Sequence, residues 1–352
     1  MSAKPFWTFM GVDRSHFSAK LRPAVRYKQI HCMEYPPDNA EIKQRTGEGF
    51  VPILISPEDE TFQDTTDIID VLEARFPEPA LLPANSQDRA LCRLFELYGD
   101  EFFPMVSMRT RWAYEENEQE LRKAFSAFSG SAGLGNKVAD LMSSYLPALG
   151  VTPDTIPVID AHTKDLLQVL DAHFAEHPFV LGDRLTVADC TLMGPLYAHL
   201  YLDRVTRKQL YDHALNVCMW IERCNRPVPE AMGNTFAGDY PDTLKAVLAL
   251  IAQDAVPILN SLQKAFREQA SALDPAAPLP RGTGMYASTL RGVGFQAAVR
   301  CYVVWKIQRL QEAVEGSDEA RALLTSLDCH SLLRREGVPA LRKEGFQVVF
   351  AG

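Results

Sequence analysis

The stretch Phe50-Val51-Pro52-Ile53-Leu54-Ile55, followed by Phe62-Gln63-Asp64-Thr65-Thr66-Asp67-Ile68-Ile69-Asp70-Val71-Leu72, decides the reading of this chain. A Pro inside an apolar β-branched run removes a ladder N–H, so it suits a strand only at its start. X-Pro is also the one linkage that readily becomes cis. A cis Val51–Pro52 bond is therefore expected, with the Val51 N–H and C=O turned outward to pair with an extended peptide. Asp64 and Thr65 fall at the mouth of an amphipathic helix with Ile68, Ile69, Val71 and Leu72 at core spacing. An acid and a hydroxyl at a helix N-terminus can hold an α-amino group and an α-carboxylate. Together these features specify a site for a small peptide.

Upstream, Phe6 to Met10 and Ile30 to Tyr35 read as strands, with a helix between them that Pro23 should kink or delay. Val51 to Ser56 and Thr61-Phe62 complete a sheet, and Asp67 to Arg75 reads as a helix. After Pro77-Glu78-Pro79 and Pro83 the pattern is helical. One long helix begins near Ser86 and another runs from about Ile159 to Ala175. The Ser- and Gly-rich residues 126 to 137 read as a loop or lid. Thr186 followed three residues later by Asp189 is a capping-box variant, a structural cap for the helix that follows. Beyond Asp239-Tyr240-Pro241, residues 243 to 270 read as one helix kinked at Pro257, Pro275 to Gly284 as a linker, and Phe295 to Val314 as a further helix.

The 352 residues are 47% hydrophobic and 23% charged, which suits a soluble globular chain of two domains and an appended element. A net charge of −9 argues against nucleic-acid binding. Neither a signal-like leader nor an uninterrupted apolar run long enough for a membrane span is read. Seven irregularly spaced cysteines suggest reduced thiols in a cytoplasmic compartment and no metal site. Residues 271–352 carry ten Lys/Arg and eight Asp/Glu, leaving 26 and 37 for the rest, a balance expected if the tail docks back on an acidic body.

The central stretch resembles the glutathione-binding half of the glutathione transferase superfamily. The resemblance extends upstream to residues 15–30, Ser15-His16-Phe17-Ser18-Ala19-Lys20-Leu21-Arg22-Pro23-Ala24-Val25-Arg26-Tyr27-Lys28-Gln29-Ile30, which is similar to that family's first helix, and to Thr46-Gly47-Glu48-Gly49-Phe50-Val51-Pro52. It extends downstream to Phe179-Val180-Leu181-Gly182-Asp183-Arg184-Leu185-Thr186-Val187-Ala188-Asp189, which matches the signature of the family's helical second domain almost letter for letter. The fold class implied is an α/β thioredoxin-like domain over residues 1–80, an all-α helical-bundle domain over 85–240, and an unmatched helical extension over 241–352.

The resemblance implies glutathione as co-substrate, a small-molecule electrophile as second substrate, no metal, and a homodimer. Thiol transfer needs a donor to the sulfur, because a thiol of pKa about 8.5 is mostly protonated at neutral pH. Ser15, between the first strand and its helix, is the expected activating hydroxyl by resemblance to serine-type transferases; it also suits a plain N-cap, and Ser18 is the fallback. Val51, Pro52, Asp64 and Thr65 would grip glutathione, the last two standing where the family has Glu/Gln-Ser. Lys43, Gln44 or Arg45 would meet its glycine carboxylate, with Lys43 the first choice. His16, where the family has Pro or Cys, would tune the thiolate or sit solvated. The second-substrate pocket would be lined by Tyr98, Phe102, Met105, Arg109, Arg111 and Trp112, the two guanidiniums receiving an anionic group. Asp100 or Glu101 would reach across a dimer to the ligand's amino group.

Three functions fit: a glutathione transferase, a binding or interaction protein that keeps the fold without the chemistry, and a glutathione-dependent isomerase or ether-cleaving enzyme. The joint presence of Ser15, Val51-Pro52 and an acid–hydroxyl pair favours the first.

Overall fold

A four-stranded sheet in the order β2-β1-β3-β4 opens the chain in the computed structural model, which describes residues 5–351. Its strands are β1 (Trp7–Met10), β2 (Cys32–Tyr35), β3 (Ile53–Ile55) and β4 (Thr61–Gln63), joined by α1 (His16–Tyr27), α2 (Asn39–Thr46) and α3 (Thr65–Arg75). β1 and β2 are parallel, and β1–β3 and β3–β4 antiparallel, with Leu54 opposite both Phe9 and Phe62. Because side chains alternate across a sheet, Trp7, Phe9 and Leu54 pack on α1 and α3 while Met10, Ile53 and Ile55 pack on Ile42 of α2. α2 was not anticipated: only Ile42 and Thr46 of its eight residues are buried, so it has little apolar periodicity to betray it. α1 begins at His16 and runs through Pro23 to Tyr27, so the proline does not delay it.

The helical half comprises α4 (Ser86–Leu97), α5 (Pro104–Trp112), α6 (Glu115–Ser129), α7 (Ala132–Ser143), α8 (Ile156–Glu176), α9 (Val187–Pro195), α10 (Arg204–His213) and α11 (Leu215–Asn225). π-helical turns at Tyr98–Phe102 and Leu196–Tyr201 extend α4 and α9. The expected lid at 126 to 137 is instead the tip of an α6–α7 hairpin. Gly130, at φ 65°, ends α6 and Ser131 caps α7. Gly135 lets the two helices touch, since a Cβ there would lie 2.4 Å from the Ser126 nitrogen. Small residues that read as a loop are thus a close helix contact.

The extension holds α12 (Asp242–Asp254), α13 (Val256–Gln269), β5 (Gly282–Leu290), β6 (Val293–Arg300), α14 (Cys301–Ala313), α15 (Asp318–Ser326), β7 (Leu341–Glu344) and β8 (Gln347–Phe350). The single helix expected over 243 to 270 breaks at Ala255, which places Pro257 in the first turn of α13, where no intrahelical N–H is lost. Residues 242–272 are apolar enough by composition for a membrane span, but most of that surface is buried in the core. The first six residues of the helix expected over 295 to 314 are strand, and the helix begins at Cys301. Val293 to Arg300 alternates buried and exposed after a tight turn at Arg291-Gly292, both at positive φ. That turn is tied down by a buried chain: Tyr98 Oη to His162 Nε2 (2.8 Å), His162 Nδ1 to Asp254 (2.7 Å), and Arg291 to Asp254 (2.9 Å) and Asp165 (2.7 Å).

Asp189 closes the helical half. Its Oδ2 accepts from the Thr186 N–H (2.9 Å) and hydroxyl (3.0 Å), and its Oδ1 from the Val180 N–H and Trp220 Nε1, both 2.9 Å. Asp189→Ala would strand several buried donors, each worth about 1–3 kcal/mol. It should therefore lower the urea-unfolding free energy by at least about 3 kcal/mol; a loss below about 1 kcal/mol would contradict this role.

His173 is fully buried, with Nε2 facing the Phe179 and Val180 carbonyls and Nδ1 facing the Thr243 hydroxyl. The carbonyls fix the proton on Nε2, and burial pushes the pKa from 6.5 down to about 4. Between those values the unfolded chain binds the extra proton, so stability falls as pH drops through this window. The His173 share is about 3 kcal/mol. His173→Gln should flatten the unfolding free energy between pH 6.5 and pH 4 by that amount; an unchanged slope would contradict a neutral buried imidazole.

Candidate functional site

Ser15 is the N-cap of α1, in extended conformation, and its Oγ accepts from the Ser18 N–H at 3.3 Å. An acceptor role leaves the hydroxyl proton available, and no described residue takes it. Ser18 is committed elsewhere: it is fully buried, its Oγ accepts from the Val12 N–H (3.2 Å), and it lies where a Cβ on Gly11 would come to 2.9 Å. Each of the two serines that the sequence left open accepts one backbone N–H, and burial distinguishes them: Ser18 is enclosed and Ser15 is half-exposed. α1 adds its positive N-terminal end beside Ser15, which favours an anion there.

His16 is not solvated. Its ring stacks edge-on to His199 at 5.8 Å and lies against Gly194, where a Cβ would come to 2.8 Å. Burial pushes its pKa down to about 4, with Asp100 opposing and Lys20 adding to the shift, so the imidazole is neutral at pH 7.

Val51–Pro52 is cis. Val51 is half-buried against the Met10–Ile53 cluster, and among the described residues no hydrogen bond engages its N–H or C=O. Gln63 Nε2 braces the segment by donating to the Phe50 carbonyl (2.9 Å). Asp64 is the N-cap of α3 at φ 78° and ψ 120°, a conformation costly for a residue with a Cβ. Its Oδ1 accepts from the Thr66 N–H (2.9 Å) and its Oδ2 from the Tyr302 phenol. Thr65 is buried, and the neighbouring Thr66 hydroxyl donates to Glu96 (3.1 Å). Lys43 and Gln44 are exposed on α2, and Lys43 has no ion pair among the described residues, whereas Arg45 is held by Glu41 (2.8 Å) and Asp59 (2.7 Å).

The residues expected to line a second pocket are scattered into structural roles. Arg109 pairs through Nη2 with Asp160 (2.8 Å), its Nε and Nη1 having no hydrogen-bond partner among the described residues, and Arg111 pairs with Asp203 (2.9 Å). Tyr98 is buried on His162, and Trp112 packs with Leu121 and Ala139. Phe102 and Met105 do line a cavity with Tyr286, Ala297 and Arg300, but its volume is about 20 Å³, room for one water. The β5–β6 hairpin fills the rest. Asp100 and Glu101 are buried under the extension of the same chain, with Lys306 of α14 on Asp100 and Arg300, at the end of β6, on Glu101 (3.0 Å).

The sequence reading missed the extension's share of the site. Arg281 lies over the Phe50 ring at 3.6 Å, Lys343 pairs with Asp67 (2.8 Å), and Tyr302 reaches Asp64. The imbalance of charge between tail and body pointed to such docking, but not to these residues.

Fold and site together define a thioredoxin-like half joined to an all-helical half, with additional C-terminal elements. Residues 9–80 match the glutathione S-transferase N-terminal domain and residues 160–227 the glutathione S-transferase C-terminal domain, which places these two segments in the glutathione S-transferase superfamily. No curated protein matches the chain significantly. Among solved structures it is similar to a glutathione S-transferase from Rhodospirillum rubrum F11 (19% identity, 66% of this chain and 98% of that one, TM-score 0.42). It is also similar to the beta-etherase LigF from Sphingobium sp. strain SYK-6 (16%, 64% and 97%, TM-score 0.46). A third is the glutathione transferase URE2P6 from Phanerochaete chrysosporium in complex with oxidized glutathione (14%, 65% and 96%, TM-score 0.37).

Proposed function

We propose that the protein is a glutathione transferase in which Ser15 stabilises the glutathione thiolate for attack on a small electrophile. The observation that carries this reading is a set of unspent groups. Among the described residues the Ser15 proton has no acceptor and the Val51 N–H and C=O have no partner, and beside these unspent groups Asp64 caps α3 in a conformation costly to hold. In this reading the peptide pairs its backbone with Val51, Asp64 and Thr65 receive its α-amino acid end, and Lys43 meets its far carboxylate. Ser15 donates to the sulfur, assisted by the positive end of α1, which raises the thiolate fraction at neutral pH. Attack on the bound electrophile then gains from proximity. The seven unpaired cysteines suit a reducing compartment such as the cytoplasm.

A binding protein without turnover is the second reading. The filled second pocket favours it, since a cavity of about 20 Å³ holds no organic electrophile unless the β5–β6 hairpin shifts.

Two measurements separate the readings. Glutathione at ten times its dissociation constant should raise the melting temperature by about 2 °C, whereas an unchanged melt would contradict the transferase and favour the second reading. Ser15→Gly removes the hydroxyl at little cost to the cap. It should lower turnover of an activated aryl halide at least about tenfold with little change in glutathione affinity, as expected for loss of one transition-state donor. Equal turnover would contradict the role of Ser15, and no turnover in the parent protein would favour the binding protein.

A further inference from the structure

Six carboxylates line the seam between α3, the end of α4 and α14, and five of them have a cation. Asp67 has Lys343, Asp70 has Arg93 and Arg309, and Glu96 has Lys20 and Arg93. Asp100 has Lys20 and Lys306, and Glu101 has Arg300 and Lys306. Of these six, Asp64 alone has no Lys, Arg or His within ion-pair distance among the described residues. It keeps only an amide N–H and the Tyr302 phenol. A half-buried carboxylate with no cation in direct contact, while each of its five neighbours has one and Lys306 acts on it only from farther off, has room for a cation of its own.

Tyr302 is arranged to share that cation. Burial and then the Asp64 charge hold its pKa well above the usual phenol value, so it remains an O–H and donates its single proton to Asp64. The ring is fixed between two ammonium groups, Lys306 at 5.3 Å and Lys343 at 5.4 Å from its centroid. With the proton committed to Asp64, the lone pairs of the oxygen are left to accept from another donor. A carboxylate and an oriented phenol oxygen side by side suit an ammonium, which carries three N–H donors.

The geometry points to Tyr302 as a binding residue for the ligand's α-amino group, working with Asp64, so that the C-terminal extension completes the peptide site. This rests on the reading of that site given above. The ligand class is a peptide or amino-acid conjugate with a free α-ammonium, and the pair discriminates against the same molecule without it.

The test is calorimetric titration of the full-length protein and of Tyr302→Phe with two ligands: glutathione and its deamino analogue, glutaryl-cysteinyl-glycine. Wild type should bind glutathione more tightly than the analogue. Tyr302→Phe should weaken glutathione about tenfold, one hydrogen bond to a charged group, and leave the analogue within about twofold. Tighter or unchanged glutathione binding by the variant would show that the phenol only plugs Asp64, and would overturn the inference. Equal weakening for both ligands would assign Tyr302 a structural role and overturn it as well. If wild type binds neither ligand, the reading of the site fails and the role of Tyr302 with it.

Discussion

Lys20 of α1, Asp100 of the π turn after α4 and Lys306 of α14 meet in one dry cluster, and the remainder of the molecule is arranged around it. Lys20 lies 2.5 Å from Asp100 and 2.8 Å from Glu96, with no exposure of its own. Burial alone would raise the Asp100 pKa, but Lys20 and Lys306 outweigh it and hold the carboxyl below its ordinary value. Such a cluster contributes less to stability than apolar packing of the same volume would, yet removal of one partner costs about 3–5 kcal/mol because it leaves a buried charge unpaired. Its consequence is registration. One lysine comes from the thioredoxin-like half, the acids from the helical half and the second lysine from the extension, so the three parts can dock in only one alignment.

That alignment reaches the site directly. Glu96 accepts from both Lys20 and the Thr66 hydroxyl, so the start of α3 is anchored to the same cluster that anchors α1. Ser15 opens α1 and Asp64 opens α3. The helix ends that carry the candidate thiolate donor and the candidate amino-group acceptor are thus held by one set of charges. α14 contributes Lys306 to the cluster and, one helical turn earlier, Tyr302 to Asp64. The extension is therefore continuous with the site and is no loosely appended tail.

Much of this was legible where local rules and tertiary needs agree. Val51-Pro52 before an apolar run, Thr186 with Asp189, and the periodic apolar positions of α3 each have one physically sensible reading, and the structure has it. Legibility failed where a short stretch satisfies two periods at once. Phe295 to Val314 contains a strand whose apolar alternation runs straight into a helix, β6 ending at Arg300 and α14 beginning at Cys301. Ser and Gly at 126 to 137 signal a loop in isolation but a close helix crossing once α6 and α7 are paired. Arg109 and Arg111 failed for another reason: their partners Asp160 and Asp203 lie 51 and 92 residues away, beyond any local pattern. Tyr302 is the same case at greater range, 238 residues from Asp64.

The central claim is that a γ-glutamyl tripeptide lies along Val51 with its ammonium at Asp64 and Tyr302 and its sulfur at Ser15, while the extension stays docked. A crystal structure of the full-length protein with glutathione tests this most directly. The account predicts a sulfur within hydrogen-bonding reach of Ser15 Oγ, an ammonium between Asp64 and Tyr302, and α14 still seated on Asp100. A peptide bound elsewhere, or one that enters only when α14 has left the seam, would contradict it.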